Sequence, residues 1–330
     1  MPVRDIEREL EAISALRNAA AGEARTGALR KALHDKVSVI VARAAKIAGE
    51  LQTNELVPAL CSAFDRLMKD PIKTDPKCWG KEAITKALTE MGHSDSGVFR
   101  KGLQHVQFEP VWGGEEDTAA NLRATCALAL IQCTDITRED KLWSVMPLLT
   151  ERSPSLRKDG ALALEALEGR EAALLLRLKA RVGDQDSTVT GQVFESLLHV
   201  EGDAAVPFVV DFLRSPNSEE RSEAALALGA SRLGNAVSAL KAAFGQEFPA
   251  LDHDVLCRAL SISRQQEALG FLFELVRRSR TNQALAALDA LHLYRDSAEV
   301  RQKIWDAVSK RTEPELHRLF SQTFGEASTA

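Results

Sequence analysis

The chain has 330 residues, with 42 Lys and Arg against 47 Asp and Glu, and a formal net charge of -5. A mildly acidic chain of ordinary globular composition, 45% hydrophobic and 27% charged, argues against a general nucleic-acid coat or a binder of anionic membranes. No apolar run approaches the ~20 residues that cross a bilayer, and the five scattered cysteines contain no CxxC pair, so neither a disulfide framework nor a zinc site is expected.

The first twenty residues, MPVRDIERELEAISALRNAA, form a charged amphipathic pattern and not a secretory leader, so a cytoplasmic protein is expected. With 48 Ala and 43 Leu against 12 Phe, four Trp and one Tyr, the composition favours helix throughout. The 3.6-residue spacing of apolar positions predicts helices over 3–18, 24–34, 36–50, 52–69, 77–92, 95–106, 116–132, 138–150 and 154–168. Further helices are predicted over 170–181, 187–200, 203–214, 218–230, 233–245, 251–263, 265–279, 282–294, 297–310 and 313–323. No segment combines alternation with hairpin turn chemistry, so no β-hairpin is predicted.

These helices recur in pairs. ALAL at 127–130 returns at 161–164, LEGREAA (167–173) returns as VEGDAA (200–205), and GDAAV (202–206) returns as GNAV (234–237). In the unit 143–169, Pro147 sits in the first helix, Ser153 and Pro154 open the second, and Gly169 closes it. The unit 205–231 repeats that plan with Pro207 and Pro216. A period of this length with two helices per unit is the mark of a stacked helix-pair array.

An acid followed six residues later by a base also recurs: Asp75 and Lys81, Asp117 and Arg123, Glu151 and Arg157. Later units depart from it, with Asp184 followed by Thr190 and Glu247 by His253. On the in-helix prolines Pro58, Pro147 and Pro207, the small-residue second helices and this charge ladder, the chain resembles the HEAT-repeat family. The resemblance is to the short bacterial form also found in phycobilin lyase subunits, and it covers roughly residues 52–310.

The resemblance implies an all-α, right-handed α-α superhelix of about nine helix pairs, a single solenoid over 1–330. Residues 1–51 would hold the N-terminal cap and first helices, 102–118 an irregular insertion, and 311–330 a C-terminal cap with a fraying tail. It further implies a non-catalytic scaffold or adaptor that binds a protein through a concave groove, with no cofactor and no metal. The alternative is a HEAT-fold enzyme acting on nucleic acid, like the alkylpurine DNA glycosylases, or a lyase-like subunit. Trp79 and Trp112 near Asp117 are the residues that such an enzyme would use. The ladder bases, with Arg221, are either neutralised within the stack or turned to the groove.

The insertion is where the periodicity breaks. His105, Gln107 and Glu109 alternate with Val106 and Phe108, followed by Pro110, Trp112 and the pair Gly113–Gly114. The alternation predicts an extended stretch. Either it packs Phe108 and Trp112 over the core, or it forms a binding site of His105, Gln107, Glu109, Trp112 and Glu116, with Trp112 exposed as the anchor. The run Arg277, Arg278 and Arg280 matches the end of a helix dipole and carries no site. Gly160, Ala163 and Ala166, at helical spacing, are expected to pack closely against neighbouring helices.

Overall fold

Capping chemistry fixes where many helices begin. Asp5, Asp95, Asp186, Asn217 and Ser297 each accept a backbone amide of the turn that follows, and Thr137 and Asp140 form a reciprocal capping box. The computed structural model describes residues 5–245 and 253–325, which fall into two compact units, one ending at Leu167 and the other beginning at Glu168. Glu247, the start of the helix expected from 251, and most of the expected fraying tail lie outside the described residues. Among the described residues, no helix is long and apolar enough to cross a membrane.

The first unit holds α1 (Ile6–Ala15), α2 (Glu23–Leu33), α3 (Ser38–Glu50), α4 (Val57–Leu67), α5 (Pro71–Thr74), α6 (Trp79–Glu90) and α7 (Ser96–Leu103). A hairpin, β1 (Phe108–Val111) and β2 (Gly114–Asp117), precedes α8 (Ala120–Gln132), α9 (Arg138–Val145) and α10 (Pro154–Leu167). One row of stacked helices runs α3, α6, α8, α10, and the first helices of the pairs pack against it. The second unit holds α11 (Gly169–Val182), α12 (Ser187–Glu201), α13 (Val206–Asp211), α14 (Ser218–Ala230), α15 (Gly234–Phe244) and α16 (His253–Ile262). It ends with α17 (Gln266–Arg278), α18 (Thr281–Ala290), α19 (Ala298–Val308) and α20 (Pro314–Phe324). Here α12, α14, α16, α18 and α20 form one row, and α13, α15, α17 and α19 form the other. Each unit is thus an all-α helical repeat.

Small residues let the stacked helices approach. A Cβ on Gly229 of α14 would lie 2.2 Å from the Ala259 carbonyl oxygen of α16, and one on Gly49 of α3 would lie 2.9 Å from Ala87 Cα of α6. Gly160 and Ala163 are buried as expected, but Ala166 is exposed, because the buried face of α10 runs instead through Ala161, Leu164 and Leu167. The repeat extends to its turns. Ser231 Oγ donates to the Leu228 carbonyl and accepts from the Leu233 amide, and Ser263 Oγ does the same with Leu260 and Gln265.

Two expected helices are cut short at or near a proline. The helix expected over 138–150 ends at Val145 and continues as a tighter turn through Pro147, and the one over 203–214 is regular only across Val206–Asp211. Proline lacks the amide that continues the ladder and crowds the preceding turn, so Pro58, Pro147 and Pro207 all sit within the first two residues of a helical segment. The largest departure is the hairpin, which overturns the expectation that the chain contains none. It also shortens the helix expected from 116, which begins at Ala120. Val111 pairs with Gly114 across a two-residue turn, Trp112–Gly113, and Gly113 takes φ +94°. Glycine reaches that region without a Cβ clash, which permits the reversal directly after Trp112.

Candidate binding site

The hairpin is inverted in polarity. Gln107 and Glu109 point inward and are only 2% and 9% exposed, whereas Val106, Phe108 and Trp112 point outward at 51%, 46% and 105%. The alternation read in the sequence is therefore a strand signal with the polar side buried. The apolar residues are not packed over the core.

What receives the polar side is the turn before α6. Asp75 accepts the amides of Gly80 (2.8 Å) and Lys81 (2.9 Å), and its carboxylate lies 3.1 Å from Lys81 Nζ, with both side chains fully buried. Lys77 and Cys78 follow each other in the left-handed region at φ 58° and 57°, a conformation that costs non-glycine residues about 1–3 kcal/mol each. Glu109 holds this turn: one carboxylate oxygen accepts from the Lys77 amide (2.6 Å), Thr118 Oγ1 (2.7 Å) and Gln107 Nε2 (2.6 Å). Gln107 Nε2 also donates to the Asp75 carbonyl at 3.0 Å, and its Oε1 lies 3.0 Å from His105 Nε2, which must be the donor in that pair.

Electrostatics follow from these contacts. Burial pushes the Glu109 carboxyl up, but the bonds from Thr118, Gln107 and the Lys77 amide, with the Lys81 charge, outweigh it and hold the group below its ordinary value. Burial lowers His105 despite its bond to Gln107. The Cys78 thiol is buried and pushed up to about 11, so it is a poor nucleophile at neutral pH.

The first two rungs of the charge ladder are ion pairs whose bases, Lys81 and Arg123, are buried. Arg123 Nη2 lies 2.6 Å from Asp117 Oδ2, its Nη1 donates to the His105 carbonyl at 3.0 Å, and its Nε lies 3.5 Å from Glu151 of the next helix pair. Arg157 instead donates to the backbone carbonyls of Glu151 (2.8 Å) and Arg152 (2.9 Å), and Arg221 repeats that with Ser215 (2.7 Å) and Pro216 (3.1 Å). Asp184, which lacks a base at Thr190, is met by Lys179 at 2.7 Å. Lys81, Arg123 and Arg221 are too buried to track a phosphate backbone, a correction to the groove alternative. Arg277 and Arg278 both pair with Glu274.

Of the five expected site residues, Gln107 and Glu109 are hairpin anchors and not surface contacts. The extended backbone sends alternate side chains to opposite faces, and theirs is the inner one. His105 is half-buried, and Trp112 and Glu116 are exposed. Sequence reasoning missed the outward apolar residues Val106, Phe108 and Val111 as surface, and exposed Trp143 on α9 with them. Trp79 is half-exposed beneath Lys77, whose ammonium lies 5.5 Å from the ring centre. Asp117 is engaged by Arg123 and by the amides of Gln107 and Ala119. Among the described residues, no three His, Cys, Asp or Glu side chains converge as a metal site would require.

Neither a family model nor a curated protein matches the chain. Among solved structures, it is similar to an engineered protein at 17% identity, covering 98% of this chain and 95% of that one, with a TM-score of 0.39. It is also similar to human deoxyhypusine hydroxylase, solved with glycerol, at 18% identity, covering 80% of this chain and 91% of that one, with a TM-score of 0.30.

Proposed function

We propose that the chain is a non-catalytic scaffold or adaptor that binds another protein, and that the hairpin of the first unit is its contact element. The observation that carries this reading is the inversion of the hairpin. A strand whose polar residues are buried and satisfied, while a tryptophan stands fully in solvent at its tip, holds apolar surface outward by construction. Exposed aromatic anchors on a fixed backbone are favoured at protein interfaces, where truncation often costs about 2 kcal/mol or more. The nucleic-acid enzyme alternative is less well supported, because the bases it needs at the surface are buried and Asp117 is committed to an ion pair.

The test is capture from an extract of the source cell with the full chain and with Trp112→Ala. Trp112 makes no packing contact that its exposure would allow to matter, so the variant should melt with the parent, within about 0.5 kcal/mol, yet lose its partner. A variant that melts early and still captures the same partner would refute the reading. Salt-dependent binding to DNA by the parent would favour the enzyme alternative instead.

A further inference from the structure

The outward face of the hairpin sets an apolar strand beside an acidic one. Phe108 is paired with Asp117 and Pro110 with Glu115, and directly opposed residues project to the same side of an antiparallel pair. Val106 continues the apolar row in front of β1. Asp117 is neutralised by Arg123, but Glu115 stands exposed on this face; Glu116, opposed to Glu109, leaves the strand on the other side, is exposed and borders the cleft, and among the described residues neither has an ion-pair partner.

Two open clefts meet at this face. One, of about 720 Å³, lies between the hairpin, with Phe108, Glu115 and Glu116, and the turn before α10 at Arg152 and Ser153. The other, of about 510 Å³, runs from Val106 over Leu103 to Trp143 and Pro147. Val106, Arg123 and Glu151 border both, so one extended segment can pass from the first cleft into the second. Trp143 stands exposed at the far end. The bordering arginines do not balance the charge. Arg123 is held by Asp117 and Glu151, and Arg100 lies 3.6 Å from Asp140, which leaves Arg152 against both Glu115 and Glu116.

We propose that this face and its paired clefts dock an extended segment of a partner protein in which apolar side chains are interleaved with Lys or Arg. The inference rests on the protein-binding reading above and specifies the chemistry of the partner. The apolar side chains cover Val106, Phe108 and Trp143, and the cations meet Glu115 on the face and Glu116 at the cleft border. An acidic segment, a nucleic acid or an anionic membrane is turned away by the same two carboxylates.

The test uses short labelled peptides with Ser spacers, one built on Leu and Lys, one on Leu and Glu, and one on Ser and Lys, titrated with the full chain by fluorescence anisotropy. The Leu–Lys peptide should bind, more weakly as salt rises, and the other two should bind at least roughly tenfold less well. Phe108→Ser, and separately Glu115→Lys with Glu116→Lys, should each weaken the Leu–Lys peptide by roughly tenfold or more. Glu55→Lys with Glu315→Lys, an equal charge change at two exposed residues elsewhere, should not. Of these five positions all but Phe108 are exposed carboxylates, so the charge variants keep the assay valid even if Phe108→Ser is unstable. Equal binding by the hairpin and control charge variants, equal binding of the Leu–Glu peptide, or no binding of the Leu–Lys peptide overturns the proposal. A natural partner whose capture needs Trp112 but ignores the Glu115 and Glu116 reversals overturns it while leaving the protein-binding reading intact. Capture indifferent to Trp112 removes that reading itself.

Discussion

Lys81 Nζ lies 3.1 Å from Asp75 Oδ2, and neither side chain reaches solvent. The two partners are not equally served. Asp75 also receives two backbone amides, whereas the ammonium makes no well-aligned hydrogen bond. Losing the acid should therefore hurt more than losing the base.

Asp75→Ala strands a buried cation and frees the turn before α6, at a cost of about 3–5 kcal/mol. Lys81→Met leaves the carboxylate with both charge-assisted amide bonds and should cost distinctly less. Urea melts of the two variants decide the point. Equal losses would mean that the pair itself, and not the turn around Asp75, supplies the stability.

Acid should loosen the hairpin before it unfolds the helices. Glu109 and Asp117 are both held below their ordinary values, each by bonds that outweigh the upward push of burial. A depressed carboxylate contributes stability that is fully present above its unfolded pKa, about 4, and is lost as pH falls through the folded value. The protection factors of the Lys77 and Thr118 amides, which bond to Glu109 and to the Gln107 carbonyl, taken relative to the intrinsic exchange rate at each pH, should be flat above about pH 5 and fall below about pH 4. Protection that persists unchanged to about pH 3 would contradict this.

Ala163 and Ala166 offer a paired test of the register of α10. Ala163 is fully buried, and Ala163→Phe should overpack the stack by about 1–3 kcal/mol. Ala166→Phe, at an exposed position, should leave the melting temperature nearly unchanged.

Glycines divide in the same way. Gly229→Ala would push a methyl to 2.2 Å from a backbone oxygen of α16, so its cost should reach the upper end of about 1–3 kcal/mol. Gly27 lies inside α2 with nothing beyond its own helix backbone within 4 Å of its missing Cβ, so Gly27→Ala should stabilise by about 0.5–1 kcal/mol. Thermal melts with opposite shifts would support both assignments.

Most of the helical repeat was legible because the helices carry local signals: apolar spacing, and in many a capping side chain or a proline near the start. The ladder was legible too, since six residues span an inter-helix turn and the first turn of the next helix, which brings Asp75 to Lys81 and Asp117 to Arg123. The third rung differs, because Arg157 finds the carbonyl of Glu151 while the Glu151 carboxylate turns back to Arg123. Spacing alone does not separate a carboxylate from its own backbone.

The hairpin was missed for a related reason. Alternation over 105–109 indicated a strand, and Gly113 after Trp112 supplied the reversal, but β2, reading Gly-Glu-Glu-Asp, has no strand-forming residue. It is a strand because Gln107, Thr118 and Arg123 hold its base, a tertiary cause. The burial of Gln107 and Glu109 depended on the same partners. Polar residues in alternation with apolar ones are ordinarily read as the solvent side, and here the buried Asp75–Lys81 turn reverses that assignment.

The hairpin's fastenings all lie at its root, from Gln107 to Glu109 and from Asp117 to Arg123, while its end from Val111 to Gly114 is exposed on both strands. That end is a natural grafting point. A foreign epitope or a small fluorophore-binding tag spliced between Trp112 and Gly113 would ride on a stem whose attachments it never touches. The host protein would thereby gain an optical handle at the very place where a bound partner should quench it.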